Sequence, residues 1–204
     1  MFKHTLPSFI RLMVPQVMWK VKTNDRVVYL TFDDGPHPTI TPWVLQQLSL
    51  YNAKATFFCI GQNVIKYSRA YNDLLAQKHA VGNHTDNHLS GWNTKTSIYI
   101  KDVEQCAAVV GGHLFRPPYG RISPLQLAAL KKQGYTVVMW DVLTCDFEAD
   151  LNITKAIARC MKIISPGSII VFHDSEKAFQ QLKQLLPAML LQLTNAGYTF
   201  NTLV

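Results

Sequence analysis

Two adjacent carboxylates, Asp33 and Asp34, stand where a run of strand-forming residues, Arg26 to Phe32, ends, and Gly35-Pro36 turns the chain away directly behind them. Neighbouring carboxylates repel, so keeping both ionised calls for compensation by a divalent cation, an arginine or both. His84 and His88 are four apart, a spacing that lets two imidazoles face one point if the segment makes one helical turn. With Asp34 they offer two nitrogens and one oxygen, a three-ligand set that leaves positions open for water as catalytic zinc sites do. Non-haem iron is served by the same donors. Alone, Asp-Asp-Gly-Pro reads equally as a polar turn, and a spaced histidine pair as a surface coincidence.

The elements that would position these residues weigh against coincidence, because each polar cluster lies just beyond a strand-like segment. Strands are predicted over Arg26–Phe32, Lys54–Ile60, Ala80–Gly82, His113–Phe115, Tyr135–Trp140, Ser168–Phe172 and Tyr198–Phe200. Helices are predicted over Thr39–Leu50, Val64–Gln77, Thr96–Val110, Ser123–Gln133, Ile153–Ile164 and Glu176–Leu193. Alternation of strand and helix with short connections argues for a parallel sheet with helices outside it. About seven such units favour a closed or nearly closed, distorted (β/α) barrel over an open doubly wound sheet, and a barrel gathers its strand ends on one rim.

With 204 residues and 48% hydrophobic content, the chain is long enough for one sizeable core and short for two domains. Residues 1–24 read as an N-terminal extension packed on a single domain over 25–204. Met1 to Val21 is apolar and basic, but Pro7, Arg11 and Pro15 interrupt it and no small-residue cleavage site follows, so it makes a poor signal peptide. The alternative to packing is a surface-seeking membrane element carrying Lys3, Arg11, Lys20 and Lys22. The compartment stays open between the cytosol, the membrane face and export by another route. No run of eighteen apolar residues occurs. The net charge of +7 favours an anionic neighbour, while the scatter of lysines and arginines argues against nucleic acid. The four cysteines, Cys59, Cys106, Cys145 and Cys160, lack C-x-x-C spacing and read as buried free thiols.

Thr31 to Pro36 (T-F-D-D-G-P), His84 to His88 (H-T-x-x-H) and Arg116 to Gly120 (R-P-P-Y-G) follow one another in an order that resembles the polysaccharide deacetylases of carbohydrate esterase family 4, the NodB-homology domain. The resemblance spans roughly Val27 to Phe200. It implies a NodB-like fold related to the (β/α) barrels, with one divalent cation held by Asp34, His84 and His88. Zinc stands first for that cation, with cobalt, nickel or iron as alternatives. It further implies Asp33 as general base, Arg116 as its partner, the Tyr119 backbone N–H as an oxyanion donor, and Asp146 orienting His173 as general acid.

Departures from the family pattern bear on substrate shape. Phe147 stands where a tryptophan is expected and Val171 where a leucine is, and both would wall the acetyl pocket with Tyr119 and Trp140. Lys78 precedes His79 where the family has glycine, a loop variation. Trp43, Trp92 and Trp140 could line a sugar-stacking groove, although core packing or a helix face is the default for each. The resemblance implies a monomer acting on peptidoglycan, chitin-like oligomers or, through an ester, acetylated xylan. Other readings are a barrel that binds sugar or metal without turnover, and a hydrolase of small amides.

Overall fold

The computed structural model describes residues 16–204. Eight strands lie in one sheet: β1 (Val27–Asp33), β2 (Ala55–Cys59), β3 (Ala80–Asn83), β4 (Leu114–Phe115), β5 (Thr136–Val137), β6 (Val142–Leu143), β7 (Ile169–His173) and β8 (Thr199–Phe200). The order is β5-β4-β3-β2-β1-β7-β6, with β8 added against the start of β1, and every ladder is parallel. Among the described residues no ladder joins β5 to β6, so the seven strands of the main path curl into a half-barrel. Helices cover its outside: α1 (Ile40–Ser49), α2 (Gly61–Lys66), α3 (Ser68–Ala76), α4 (Thr96–Ala107), α5 (Pro124–Lys132), α6 (Ile153–Ile163) and α7 (Glu176–Asn195).

The central strands are buried on both faces, as parallel strands under crossover helices must be. Phe32 stacks on Phe57 at 4.9 Å and on Phe172 at 5.5 Å, joining β1, β2 and β7 under the helices. Phe58, the next residue along β2, points the other way and packs with Leu114, Val138, Ile169 and Leu203 inside the curl. The period of two thus divides one strand between an outer and an inner core.

Most predicted elements form with ends shifted by one or two residues, and two are corrected. The single helix predicted over Val64–Gln77 is broken at Tyr67 (φ −125°, ψ 44°) into α2 and α3. α2 starts early, at Gly61, because the Gly61 and Gln62 N–H groups donate to the Thr85 and Asp86 carbonyls across the rim. The strand predicted over Tyr135–Trp140 keeps only Thr136–Val137 in the ladder. Beyond it the Val138 and Met139 carbonyls accept from Arg116, so they are spent on a side chain and not on a neighbouring strand.

The Met18 N–H donates to the Val137 carbonyl at 2.9 Å, the Val21 N–H to Gly167, and the Lys20 ammonium to Ser165 Oγ at 2.5 Å. Residues 16–24 thereby run beside the gap in the sheet. Lys3, Arg11 and the rest of the predicted surface-seeking segment before residue 16 lie outside the described residues. No helix among the described residues is long and apolar enough to cross a membrane. All four cysteines are buried free thiols.

Candidate metal centre and active site

Strand register brings the chemistry together. Asp33 is opposite His173 across β1 and β7, and Asn83 is opposite Phe115 across β3 and β4, so the residues that follow them, His84 and Arg116, emerge side by side. Cys59 is in turn level with Asn83. The strand tips line a cavity of about 360 Å³ whose walls include Asp33, Asp34, His84, His88, Tyr119, Trp140, Phe147, Val171 and His173.

Asp34 leaves β1 in the left-handed region, at φ 77°, and this turn aims its carboxylate away from that of Asp33. Gly35 is required behind it: a Cβ there would come within 2.2 Å of Asp174 Oδ2. Asp34 Oδ1 lies 3.1 Å from His88 Nε2 and 3.6 Å from His84 Nε2, and one ligand atom from each residue falls within 4.8 Å of the others. His84–His88 does not make a helical turn. The segment is a loop with Thr85 at φ 64° and His88 at φ 56°, and those two left-handed residues fold it so that the imidazoles converge, centroids 5.1 Å apart.

The hydrogen bonds fix what these groups can hold. His84 Nδ1 lies 2.8 Å from the Arg116 carbonyl oxygen, which only accepts, so Nδ1 carries a proton and Nε2 is the atom left to face Asp34. His88 Nδ1 is 3.1 Å from the Tyr119 hydroxyl, which can accept in the same way. Burial by itself would raise the Asp34 carboxyl, but the two imidazoles and the charge on His173 outweigh it and hold it well below the ordinary range. The two Nε2 atoms and the carboxylate converge on one point, and as an N,N,O donor set they fit a first-row divalent ion such as zinc.

Asp33 sits beside this point with a different partner. Arg116 is fully buried, and its Nη1 donates to Asp33 Oδ1 and Thr31 Oγ1, each at 2.7 Å. Nη2 donates to the Met139 carbonyl at 3.0 Å, and the guanidinium lies over Phe58, 4.1 Å from the ring centre. A buried guanidinium so fully bonded holds Asp33 in one orientation. Opposite, Asp146 grips His173 twice: Oδ1 accepts from the ring Nδ1 at 2.7 Å and Oδ2 from the backbone N–H at 2.8 Å. Burial would lower the imidazole, yet Asp146, and then Asp34 and Asp33, raise it to about 9.

Phe147 stands edge-on to His173 at 5.2 Å, and Lys177 Nζ lies over the Phe147 ring at 5.4 Å. Val171 and Trp140 complete the wall. Tyr119, at φ 60°, presents its ring to His88 at 4.7 Å. Of the other tryptophans, Trp43 packs edge-on against Phe179 at 5.5 Å, while Trp92 is exposed.

Some residues at the site were not anticipated. Leu143 and Lys177 line the cavity. Asp102 of α4 is buried behind the histidine loop and accepts from the Asp86 N–H at 2.9 Å, the Asn87 N–H at 3.0 Å and the Asn87 side chain at 2.6 Å. Asp174 is buried against Gly35, accepts from Thr41 Oγ1 at 2.5 Å, and is raised to about 7 by burial and by Asp34 and Asp33 against the opposing Thr41 bond. Nothing in the sequence distinguished Asp102 from a solvated helix carboxylate.

The family model described as polysaccharide deacetylase matches residues 20–138. A peptidoglycan-N-acetylglucosamine deacetylase of Bacillus cereus is 33% identical over 192 residues, covering 91% of this chain and 90% of that protein. A chitooligosaccharide deacetylase of Azorhizobium caulinodans is 35% identical over 162 residues, covering 76% and 77%. The crystal structure of a peptidoglycan N-acetylglucosamine deacetylase superposes with a TM-score of 0.85 at 29% identity, over 96% of this chain and 94% of that one. Motif order, fold and relatives agree, and the chain belongs to the polysaccharide deacetylase family, carbohydrate esterase family 4.

Proposed function

We propose that this protein hydrolyses the acetamide of N-acetylated sugars in a glycan strand, peptidoglycan or a chitin-like chain, with one divalent cation held by Asp34, His84 and His88. The observation that carries this reading is the meeting of those three ligand atoms at the floor of a cavity that has Asp33 on one side and His173 on the other. When bound, the cation polarises the acetyl carbonyl and acidifies water, the chemistry that a poorly electrophilic amide needs.

The remaining steps belong to side chains. Asp33, kept charged and oriented by Arg116, takes a proton from the attacking water as its oxygen adds to the acetyl carbon. The Tyr119 N–H meets the negative charge that develops on the acetyl oxygen. The carbon–nitrogen bond then breaks while His173, its Nδ1 proton committed to Asp146, delivers a proton from Nε2 to the departing amine. Acetate and a free amino sugar result. Phe147, Val171 and Trp140 exclude water around the methyl group.

The test is acetate release from N-acetylglucosamine oligomers by protein stripped with chelator and then resupplied with zinc or cobalt. Release that appears only on resupply is expected. Ion and oligomer binding with no acetate would identify a binding barrel instead.

A further inference from the structure

An aromatic row continues outward from the cavity. Tyr119 is 61% exposed and Trp92 67% exposed, although rings of that size are ordinarily covered. The Arg121 guanidinium lies between them, 5.8 Å from the centre of the Tyr119 ring and 5.3 Å from that of Trp92. Tyr119 is itself a wall of the cavity and rests on His88. Tyr119, Arg121 and Trp92 therefore form one contiguous group that meets the proposed metal ligands at His88.

It is also fixed in place. Trp92 sits in a 3-10 turn over Gly91–Asn93, where the Gly91 N–H donates to the Arg121 carbonyl at 3.1 Å. The Gln126 amide of α5 donates to the carbonyls of Gly91 at 2.9 Å and Thr94 at 3.0 Å. A Cβ at Gly91 would fall 2.4 Å from the Arg121 carbonyl oxygen, so turn and neighbour are in close backbone contact. Tyr119 and Gly120 follow one another at φ 60° and 65°, a pair of left-handed residues that turns the Tyr119 ring outward. Rings held before the ligand arrives bind without the cost of ordering them. None of the ion pairs among the described residues uses Arg121, so its N–H edge is open to an anion.

We infer that Trp92, Arg121 and Tyr119 form a second subsite holding the glycan strand beyond the sugar being deacetylated, with the rings stacked on a neighbouring pyranose and Arg121 paired with a carboxylate on the strand. This rests on the deacetylase reading and narrows its substrate to a carboxylate-bearing glycan over a neutral chitin-like one. Lys177 in the cavity wall and the net charge of +7 act in the same sense.

Binding is measured apart from turnover. Solubilised peptidoglycan strands and the N-acetylglucosamine hexamer are titrated calorimetrically into the zinc-loaded protein and its Trp92→Ala, Trp92→Phe and Arg121→Gln variants. Trp92→Ala weakens both glycans about tenfold and Trp92→Phe recovers most of that. Arg121→Gln weakens the peptidoglycan strands about tenfold and the hexamer by a clearly smaller factor, a difference that shrinks in high salt. Wild-type affinity in Trp92→Ala overturns the subsite, and equal losses on both glycans in Arg121→Gln overturn the carboxylate preference. Acetate release followed in parallel separates the two readings: glycan held through Trp92 with no acetate released counts against the deacetylase alone, whereas acetate released with binding indifferent to Trp92 counts against the subsite alone.

Discussion

His173 shows how far a single residue's chemistry depends on its partner. In the metal-free protein it titrates near 9, above its ordinary 6.5, because the Asp146 carboxylate outweighs burial. Its protonated pair with Asp146 therefore contributes stability fully below about pH 6.5, and that contribution is lost as pH rises through about 9. NMR titration of the ring checks this directly. Asp146→Asn removes the largest opposing charge and leaves Asp34 and Asp33 to offset burial, so the midpoint should drop clearly below 9; a midpoint still near 9 would show that Asp146 is not the main cause. At this scale the sequence was informative wherever a residue's type and its place in a motif imply its job, as for Asp34, His84 and Arg116. It was silent where the job comes from a neighbour, as for Asp174 against Gly35 or Lys177 over Phe147.

At the scale of elements, the histidine loop depends on a helix that carries none of the proposed ligands. Two backbone N–H groups of the loop end on the Asp102 carboxylate of α4, so α4 sets the loop's path although the ligands lie on either side of the bonded residues. Asp102→Ala leaves those buried donors unsatisfied. It is expected to cost about 2 kcal/mol in denaturant unfolding and to weaken zinc binding about tenfold or more, with Asp102→Asn in between. Unchanged zinc affinity in Asp102→Ala would remove α4 from any positioning role. Apolar periodicity located the helices and strands well, since it reports which face is buried. The early start of α2 at Gly61 and the early end of β5 depend instead on backbone groups captured by distant residues, Thr85 and Asp86 in one case and Arg116 in the other. Spacing within a segment holds no trace of such captures. The same limit explains the histidine pair: a separation of four is what a helical turn needs, but here left-handed residues at Thr85 and His88 achieve the convergence.

For the whole molecule, the curl of the sheet is what turns scattered motifs into one site. Residues as far apart in the chain as Asp34, Arg116 and His173 meet because parallel strands present their ends on one rim and the sheet bends that rim into a cup. Alternation of strand and helix made that arrangement readable, whereas the missing ladder between β5 and β6 was not, because the backbone edge at that gap is taken by Met18, whose N–H donates to the Val137 carbonyl and whose carbonyl accepts from the Met139 N–H. The central claim is that Asp34, His84 and His88 hold a cation that the reaction requires, while Asp33 serves the reaction and not the ion. Zinc titration by calorimetry into chelator-stripped wild type, Asp33→Asn and His84→Ala, paired with acetate release from N-acetylglucosamine oligomers, tests it most directly. One zinc per chain is expected in wild type and in Asp33→Asn, with turnover down at least about a hundredfold in the latter, and loss of both zinc and turnover in His84→Ala. Equal zinc content and full activity in all three proteins would contradict it.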